Sequence, residues 1–480
     1  MDIKDIFDLM KRAPTETDKD KISRALDFAT KAHANQKRFS GEPYIIHPFE
    51  VAKILADMRA DVDTICAGLL HDTFEDGHVT LKDIEKEFGK TVAFMVDGVT
   101  KLGKLKYQGV ERHVESLRKL FVAMAKDIRV IMIRLADRLH NVRTLEHVRP
   151  DKQKRIAIET LDIYAPLANR LGIWRIKGLL EDASFPYAYP EEYKKVVALR
   201  KTKGKESIKR LEKIYRTLSK EAATQGLADV HIDYRVKYLY SLYQKLKRKN
   251  MEIDQIYDIS ALRVVVPTVA ECYQVLGLVH ILWKPVPGRL KDYIASPKSN
   301  GYQSIHTAIF TGDGTVAEIQ IRTTEMQREA EYGVTSHLLY DEQGKPKFGS
   351  KLTKKTAWLK DLLDWQKHVD NPTEFLEHLK TDFFQDRIFV FTPKGDVIEL
   401  PKDSTPIDFA YAIHSDIGEH ASGAIVNGKF SSMETVLKNQ DVVEIEVKKS
   451  SRPTAKWLSS VKTTMARKHI KNFLGRVKKK

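Results

Sequence analysis

The spacing of apolar residues changes twice along this chain, and each change marks a different kind of fold. Between residues 20 and 195, apolar side chains recur every three or four positions, which predicts an all-α region. From about residue 230, β-branched runs such as IYDISALRVVV alternate with helical runs such as ECYQVLGLVHILW, which predicts an α/β domain with a mixed sheet. A loop rich in Gly, Lys and Pro (341–351) then precedes a compact β-rich unit, with turn signals at Gly395 and at Asn427-Gly428. The pattern predicts a multidomain protein.

Length and composition narrow the class of protein. A chain of 480 residues exceeds one ordinary core, so two or three domains are expected. The two cysteines, Cys66 and Cys272, lie in apolar surroundings, which excludes a disulfide framework and favours a reducing, cytoplasmic location. No apolar run approaches the roughly 18 residues of a membrane helix, and the N-terminus lacks a signal-peptide core. The net charge of +16 suits nucleic acid, nucleotides or an anionic membrane surface, and by itself it leaves the partner open.

Histidines and acidic residues collect in the helical region. The adjacent pair His71-Asp72 is predicted to lie in a helix that carries Glu75 and Asp76 one turn further on, and His47 stands just before a proline suited to a helix start. A further helix places three polar residues on one face: Asp137, Asn141 and Thr144. Imidazoles with carboxylates suit Mn²⁺ or a similar divalent ion, which acidifies bound water. Glu75 and Asp76 would then transfer protons.

A His-Asp pair alone is more often a helix-surface histidine beside an acid than a pair of metal ligands. Two further candidate ligands, His47 and Asp137, make a metal site the better interpretation of this pair. The set His47, His71, Asp72 and Asp137 resembles the HD phosphohydrolase superfamily, whose helical fold carries a His, a His-Asp pair and a later Asp. The resemblance implies a metal-dependent phosphohydrolase site in the helical region.

The α/β region carries the residues for a second site. The strand VAEIQIRT alternates, so Glu318, Gln320 and Arg322 are expected on its polar face, where a carboxylate can bind Mg²⁺ or act as a base. Asp258, just before the run SALRVVV, is the natural second carboxylate. A helix in RVKYLYSLYQKLKRK would place Lys237, Ser241 and Lys245 on one face, with Arg235 just before it, as a grip for a triphosphate. Such a basic amphipathic helix is, taken alone, more often an ordinary solvated surface.

Between these strands, the segment GRLKDYIASPKSNGYQSIHT combines cations with an aromatic residue. Phosphate attracts the cations and a base can stack on the ring, so the combination suits a nucleotide. Stacking on Tyr302 is worth about 1–3 kcal/mol, although a tyrosine at a loop–strand junction often covers the core instead. The candidate contacts are Arg289, Lys291, Lys298, Asn300, Tyr302, Gln303 and His306.

Taken together, these segments resemble the long RelA/SpoT homologue (Rel) family along essentially the whole chain. The hydrolase segments are RFSGEPYIIHP, HDTFEDG and RLADRLHNVRTL, and the synthetase segments are YDISALRVVV, GRLKDYIASPKSNGYQSIHT and AEIQIRTTEMQREAEYGVTSH. The segment FVFTPKGDVIELPKDSTPIDFAYAIHSDIG is similar to the small β-grasp regulatory domain called TGS. The resemblance implies an all-α HD-type hydrolase domain at 1–195, a nucleotidyltransferase-like α/β synthetase domain at 196–345, a linker helix at 346–385, a TGS domain at 386–447 and the start of a helical region at 448–480.

The resemblance also implies two opposed reactions in the stringent response. The synthetase moves the β,γ-pyrophosphate of ATP to the 3′-hydroxyl of GDP or GTP, giving (p)ppGpp and AMP. Asp258 and Glu318 would hold Mg²⁺, Glu318 would help to activate the 3′-oxygen, and Tyr302 would stack on the guanine. Further implied contacts are Arg235 and Arg263 to ATP, and Lys245, Lys298 and His306 to phosphate.

By the same resemblance, the hydrolase removes the 3′-pyrophosphate with Mn²⁺ on His47, His71, Asp72 and Asp137. Glu75 and Asp76 are its implied acid and base, and Arg38 and Asn141 its implied nucleotide contacts. A regulatory contact with the ribosome and uncharged tRNA, through the TGS domain around His414, is also implied, and no membrane partner is. The family's later helical, cysteine-rich and ACT regions are expected to lie outside this sequence.

Several details bear on whether both sites are active. The loop Arg289-Leu290-Lys291-Asp292 is of the basic kind that bifunctional members carry. The sequence departs from the usual family pattern at Phe39, Gly77, Gln327 and Leu338. Two alternatives therefore stay open: a synthetase whose HD domain is inactive and only regulates, and a basic ribosome- or RNA-binding regulator. Because two opposed reactions would cycle ATP uselessly, nucleotide at one site is expected to disfavour the other through a connector at about 145–235.

Overall fold

The computed structural model describes residues 1–477 except 11, 75–78, 101–109, 228, 253–255, 257–258, 299, 313, 334–357, 367–368, 370 and 385–386. The chain folds into two compact units, Met1–Trp365 and Gln366–Lys480. Among the described residues, no helix is both long and apolar enough to cross a bilayer.

The first unit begins with a helical bundle, as the apolar spacing predicts. Its helices are α1 (Lys4–Leu9), α2 (Glu16–Ala32), α3 (Ile46–Asp57), α4 (Val62–Leu70), α5 (Leu81–Phe88), α6 (Lys90–Val99), α7 (Val110–Lys126) and α8 (Arg129–Arg143). Local sequence fixes the first residue of two of these helices. Thr15 with Asp18 forms a capping box at the start of α2, and Thr80 with Asp83 forms one at the start of α5. Helix α8 is buried along most of its length because α3, α4, α6 and α7 pack around it.

A second group of helices follows the bundle. It comprises a 3₁₀ turn (Leu145–His147), α9 (Pro150–Glu159), a π-helical turn (Thr160–Tyr164), α10 (Ala165–Arg170), α11 (Trp174–Ala188) and α12 (Pro190–Thr224). Helix α11 packs against α8 and α9 and also against two helices of the α/β half that follows. The sequence predicted a helical connector near 196–225 without deciding between one helix and a pair. The structure shows the single long helix α12 there. The domain limit expected at residue 195 falls inside it and stays a prediction.

A shared apolar cluster joins the helical half of the first unit, which runs from α1 to α12, to the α/β half that follows it. Phe185 on α11 stacks on Tyr243 of α13 (Leu239–Lys247), with ring centroids 5.1 Å apart. The other buried members are Val196, Leu239, Leu242, Leu246, Ile256 and Ile259. The carboxylate of Asp182 accepts the backbone N–H groups of Leu239 and Tyr240 at 3.1 and 3.0 Å, so it caps the start of α13.

The α/β half is built on a five-stranded mixed sheet of order β1-β2-β5-β4-β3. The strands are β1 (His231–Val236), β2 (Ser260–Val266), β3 (Lys291–Asp292), β4 (Ile305–Phe310) and β5 (Val316–Thr323), and the helices beside them are α14 (Val269–Leu282) and α15 (Thr324–Tyr332). Strands β2 and β5 are parallel and the other pairs antiparallel. Ala317, Ile319 and Ile321 enter the core with α12 and α14, as the alternation of β5 predicts.

Helix α16 (Trp358–Gln366) lies at the division between the units. The second unit contains α17 (Pro372–His378), a π-helical turn (Leu379–Phe383), β6 (Arg387–Phe391), β7 (Val397–Pro401), α18 (Pro406–Ile413), α19 (Ser415–His420), β8 (Ala421–Val426), β9 (Lys429–Ser431), β10 (Val443–Val447), α20 (Trp457–Ser460) and α21 (Thr464–Val477). Both predicted hairpin turns are confirmed: β6 pairs with β7 around Gly395, and β8 pairs with β9 around Asn427-Gly428, both at positive φ.

Two local predictions are wrong. Helix α4 ends at Leu70, so His71 and Asp72 lie in the turn after it rather than inside a helix. Side chains replace the missing main-chain bonds there, since His71 Nδ1 lies 2.7 Å from the carbonyl of Gly68 and Thr73 donates to that of Leu70. Lys237 precedes α13 instead of joining its polar face, because its N–H is held by the carbonyl of Ile259 at 3.0 Å.

Candidate functional sites

Four of the residues predicted as metal ligands meet inside the helical bundle. The Nε2 atom of His47 lies 3.4 Å from Asp137 Oδ1 and 3.5 Å from Asp72 Oδ2. The Nε2 atom of His71 lies 3.3 Å from the same Asp72 oxygen. One ligand atom each from His47, His71 and Asp137 falls within 4.8 Å of the others, and all four side chains are buried. The arrangement can hold one metal ion.

Three separate elements bring these ligands together. His47 stands in the first turn of α3, where Pro48 follows it, and Asp137 lies in the middle of α8. His71 caps the end of α4, and because its Nδ1 lies 2.7 Å from the carbonyl of Gly68, that nitrogen must carry the proton. The other ring nitrogen, Nε2, is buried and has no hydrogen-bond partner among the described residues. Once it has lost its proton, a buried ring nitrogen in this position fits a metal ion.

The electrostatics of the cluster match a cation site. Burial alone would lower the pKa of His71, but the charges of Asp72 and Asp137 raise it to about 9. Burial lowers the pKa of His47, although the carboxylates of Asp137 and Asp72 act in the opposite direction. Two side chains that the sequence analysis did not select hold the carboxylates in place: Tyr44 donates to Asp72 Oδ2 at 2.8 Å, and Arg134 donates to Asp137 Oδ2 at 2.9 Å.

The predicted nucleotide contacts of this site adjoin the ligands. Arg38 donates to Asn141 Oδ1 at 3.0 Å, and Asn141 in turn donates to Asp137. Arg38 Nη1 also lies 2.9 Å from Nδ1 of His140, a residue that sequence reasoning missed although it is three positions after Asp137. Burial, followed by the charges of His47 and Arg38, lowers the pKa of His140 to about 3.

For the remaining predicted residues of this site, the structure adds little about how the four proposed ligands are held. The hydroxyl of Thr144 donates to the carbonyl of His140 at 3.2 Å, at the end of α8. The side chain of Phe39 is 86% exposed and stands beside Arg38 without entering the ligand cluster. Glu75 and Asp76, predicted as acid and base, lie outside the described residues, as does Gly77.

The second site lies on the polar face of the five-stranded sheet. Strand register places Arg235 opposite Ala261 and Ala261 opposite Glu318, so these positions share one row. The next row contains Arg263 opposite Gln320 and Gln320 opposite His306. The predicted polar face of β5 is confirmed by contacts, because Arg322 donates to Gln320 Oε1 and Gln320 donates to Glu318 Oε1, both at 2.8 Å.

Hydrogen bonds through this site run from Arg322 to Glu318. Arg322 donates to the Tyr302 hydroxyl at 2.7 Å, and that hydroxyl lies 2.8 Å from His306 Nε2. The other nitrogen of His306, Nδ1, lies 3.3 Å from Glu318 Oε1. Burial lowers the pKa of His306 to about 4, so the ring is neutral at pH 7. Burial alone would raise the pKa of Glu318, but the bonds from His306 and Gln320 hold it well below its ordinary value.

The segment GRLKDYIASPKSNGYQSIHT, which carries the predicted nucleotide contacts, packs against the helical half through Tyr302 and Asn300. The ring of Trp174, at the start of α11, lies 5.1 Å from that of Tyr302, which is only 8% exposed. Lys298 Nζ stands over three rings, at 4.7 Å from the centroid of Tyr293, 5.0 Å from Tyr302 and 5.4 Å from Trp174. Asn300 donates to the carbonyl of Asn169 at 3.3 Å. Trp174 was not predicted, because its partner lies 128 positions away and no local pattern connects them.

The other predicted triphosphate contacts divide into two groups. Arg263 is paired with Asp233 through its Nε at 2.7 Å, and Ser241 donates to Glu181 at 3.1 Å, so both contact protein groups. The remaining predicted contacts lie on other elements of this half: Arg235 on β1, Lys245 on α13, Lys291 on β3, and Lys237, Arg289 and Gln303 in the loops beside them. Asp258, the predicted partner of Glu318, lies outside the described residues.

Comparison with protein families matches both sites and the small β unit. Residues 25–174 match the HD domain, residues 234–345 the region found in RelA / SpoT proteins, and residues 388–446 the TGS domain. The chain belongs to the RelA/SpoT family. The predicted architecture of a helical HD domain, a mixed-sheet synthetase region and a small TGS domain is thereby confirmed.

Relatives within the RelA/SpoT family carry names for both reactions. The chain is 48% identical over 463 residues to a GTP pyrophosphokinase of Myxococcus xanthus, covering 96% of this chain and 61% of the relative. It is 47% identical over 460 residues to a guanosine-3′,5′-bis(diphosphate) 3′-pyrophosphohydrolase of Aquifex aeolicus, covering 95% and 64%. It is 45% identical over 463 residues to the bifunctional (p)ppGpp synthase/hydrolase SpoT of Escherichia coli, covering 96% and 65%. The chain thus spans less than two thirds of the length of these relatives.

Proposed function

We propose that this chain is a bifunctional alarmone enzyme, which makes (p)ppGpp from ATP and GDP or GTP and hydrolyses it back to GDP or GTP and pyrophosphate. The observation that carries the proposal is the presence of two separate buried centres in one unit. One centre is a metal-type cluster of imidazoles and carboxylates, and the other is an anionic carboxylate held by His306 and Gln320 with the charge of Lys237 nearby. Identities of 45–48% to relatives named for each reaction support it.

In the synthetase, we assign the acceptance of a proton to Glu318. Its carboxylate is ionised, but the bonds from His306 and Gln320 make it a weak base, so it takes the proton of the acceptor's 3′-hydroxyl as that oxygen becomes acidic on approaching phosphorus. The 3′-oxygen then bonds to the β-phosphorus of ATP while the bond between that phosphorus and the α,β-bridging oxygen breaks, releasing AMP. Arg235 and Lys237 are placed to offset the phosphate charge. We assign Mg²⁺ to Glu318 and Asp258, where it would align and neutralise the phosphates.

In the hydrolase, we assign Mn²⁺ to His47, His71, Asp72 and Asp137, where it would acidify water and polarise a phosphoryl oxygen. Arg38 and Asn141 lie beside the ligands and are placed to bind the nucleotide. Glu75 and Asp76 follow the ligand pair in sequence and are assigned the proton transfers. The His and carboxylate donor set is the observation that favours Mn²⁺ over Mg²⁺.

The second unit is assigned a regulatory role. We propose that its TGS domain contacts the ribosome and uncharged tRNA, and that His414, exposed at the start of α19, lies in that contact. The two free, buried cysteines, Cys66 and Cys272, suit the reducing cytoplasm that these partners would require.

Two near-isosteric substitutions test the two reactions separately. Glu318→Gln should lower synthesis from ATP and GDP by about 10²–10³-fold, as expected for deletion of one transition-state contact, and leave hydrolysis of ppGpp intact. Asp72→Asn should abolish Mn²⁺-dependent hydrolysis and leave synthesis intact. Each variant is the control for the other.

The outcomes distinguish the alternatives. A wild-type chain that makes ppGpp but never hydrolyses it with Mn²⁺ would support an HD domain that only regulates. Absence of both reactions, with RNA binding that weakens steeply as salt rises, would support an RNA-binding regulator instead.

A further inference from the structure

His140 joins a proposed metal ligand to a proposed nucleotide contact. It lies on α8, is only 8% exposed, and is not among the four ligands. Its Nδ1 atom stands 2.8 Å from Nδ1 of His47 and 2.9 Å from Nη1 of Arg38. One nitrogen therefore faces two other nitrogens at hydrogen-bond distance, and the positions of the protons must be consistent with both contacts.

The guanidinium of Arg38 decides where the protons lie. Arginine has only donors and keeps its charge at any physiological pH, so Nδ1 of His140 must carry a lone pair and act as the acceptor. The same lone pair faces Nδ1 of His47, and two lone pairs at 2.8 Å would repel each other. Nδ1 of His47 must therefore carry a proton. In the neutral ring, this leaves the lone pair of His47 on Nε2, the atom that lies 3.4 Å from Asp137 Oδ1 and 3.5 Å from Asp72 Oδ2.

We infer that His140 is a positioning residue, which sets the tautomer and the ring orientation of His47 so that Nε2 faces the metal. The inference rests on the proposed metal-dependent hydrolase. His71 reaches the same state by another route, through the carbonyl of Gly68. The two histidine ligands are thus oriented independently, one by the main chain and the other by a side chain that Arg38 holds.

The network gives Arg38 a second link to the ligands. Its Nη2 donates to Asn141, and Asn141 donates to Asp137. One guanidinium thus contacts the neighbours of both a histidine ligand and a carboxylate ligand. Outer groups that orient metal ligands typically change metal affinity about 10–100-fold when they are removed.

Two substitutions at position 140 separate the acceptor from the bulk of the side chain. Asn places its Oδ1 close to the position of the imidazole Nδ1 and keeps an acceptor there, whereas Leu has similar size and no acceptor. Mn²⁺ binding to the full chain is measured from the loss of the free-ion signal in electron paramagnetic resonance. His140→Leu should weaken binding about 10–100-fold, and His140→Asn should restore most of it.

Two controls keep the result interpretable. His147→Leu removes an exposed histidine from the 3₁₀ turn after the same helix, where it pairs only loosely with Glu146 at 3.6 Å, and should leave Mn²⁺ affinity unchanged. Nitrogen-15 spectra of the metal-free wild type, with labelled histidine, should show His47 protonated on Nδ1 and His140 on Nε2. This second measurement does not depend on how well any variant folds.

Each outcome decides the matter. Equal Mn²⁺ affinity of His140→Leu and the wild type would overturn the inference, and so would equal weakening by Leu and Asn or a His47 ring protonated on Nε2. Failure of the proposed hydrolase looks different, because the wild type itself would then bind no Mn²⁺.

Discussion

Replacing Trp174 by leucine should increase the affinity of the chain for GDP. The family resemblance implies that guanine stacks on Tyr302, and such stacking needs an open face on the ring of that residue. In the structure that ring is 8% exposed, with Trp174 at 5.1 Å and Lys298 Nζ at 5.0 Å. Guanine must therefore displace part of this cluster, and the free energy of the displaced contact is subtracted from its binding.

The size of the effect follows from the contact that is lost. An aromatic pair at this separation is worth about 0.5–1.5 kcal/mol beyond its buried area. The contact of Lys298 with Tyr293, at 4.7 Å, is the shortest of its three ring contacts and is retained in the variant. At about 1.4 kcal/mol per tenfold change, removing the indole should lower the Kd for GDP by roughly 2–12-fold.

Isothermal titration of GDP into the full chain, without ATP, measures this directly. Tyr302→Leu provides the opposite control, because loss of stacking should weaken binding by about 1–3 kcal/mol. The reasoning would be refuted if Trp174→Leu bound GDP no more tightly than the wild type while Tyr302→Leu bound it more weakly. If neither substitution changed the affinity, the proposed guanine contact itself would be wrong.

Two further predictions concern stability and pH. Leu242→Ala, in the cluster shared by α11, α12 and α13, should destabilise the fold by about 2–5 kcal/mol because it leaves a cavity. Leu9→Ala, at a 39% exposed position, should change the stability little. Thermal unfolding of both variants measures the difference, and equal effects would contradict the prediction. Mn²⁺ affinity should rise about tenfold per pH unit up to about pH 9 and then level off, because the metal binds only unprotonated His71, whose pKa is raised to about 9. Titrations between about pH 6.5 and 8.5 that gave one constant affinity would disprove that assignment.

The local pattern of apolar, polar and turn residues was sufficient to predict most of the architecture. The alternation of VAEIQIRT correctly separates Glu318, Gln320 and Arg322 from the core residues between them, because each strand residue points to the face opposite its neighbours. The turn residues Gly395 and Asn427-Gly428 correctly locate two hairpins. The four proposed ligands of the hydrolase site meet, as the resemblance to the HD superfamily implies.

Contacts between distant segments were not predictable in this way. His140 was overlooked because its importance comes from His47, 93 positions earlier, and from Arg38. The end of α4 at Leu70 was missed because side chains of the ligand turn replace helical hydrogen bonds, and no Gly or Pro marks the stop. In both cases the decisive partner belongs to the site rather than to the local sequence.

The apolar cluster around Phe185 has a practical consequence for dividing this chain into fragments. The match to the RelA / SpoT region starts at residue 234, which invites excision of the synthetase from there or from residue 196. Either cut would remove Phe185 and leave Leu242 and Leu246 facing water. A soluble fragment that retains the proposed synthesis should therefore begin upstream of Trp174, so that it keeps α11, which also packs against α8 of the proposed hydrolase site.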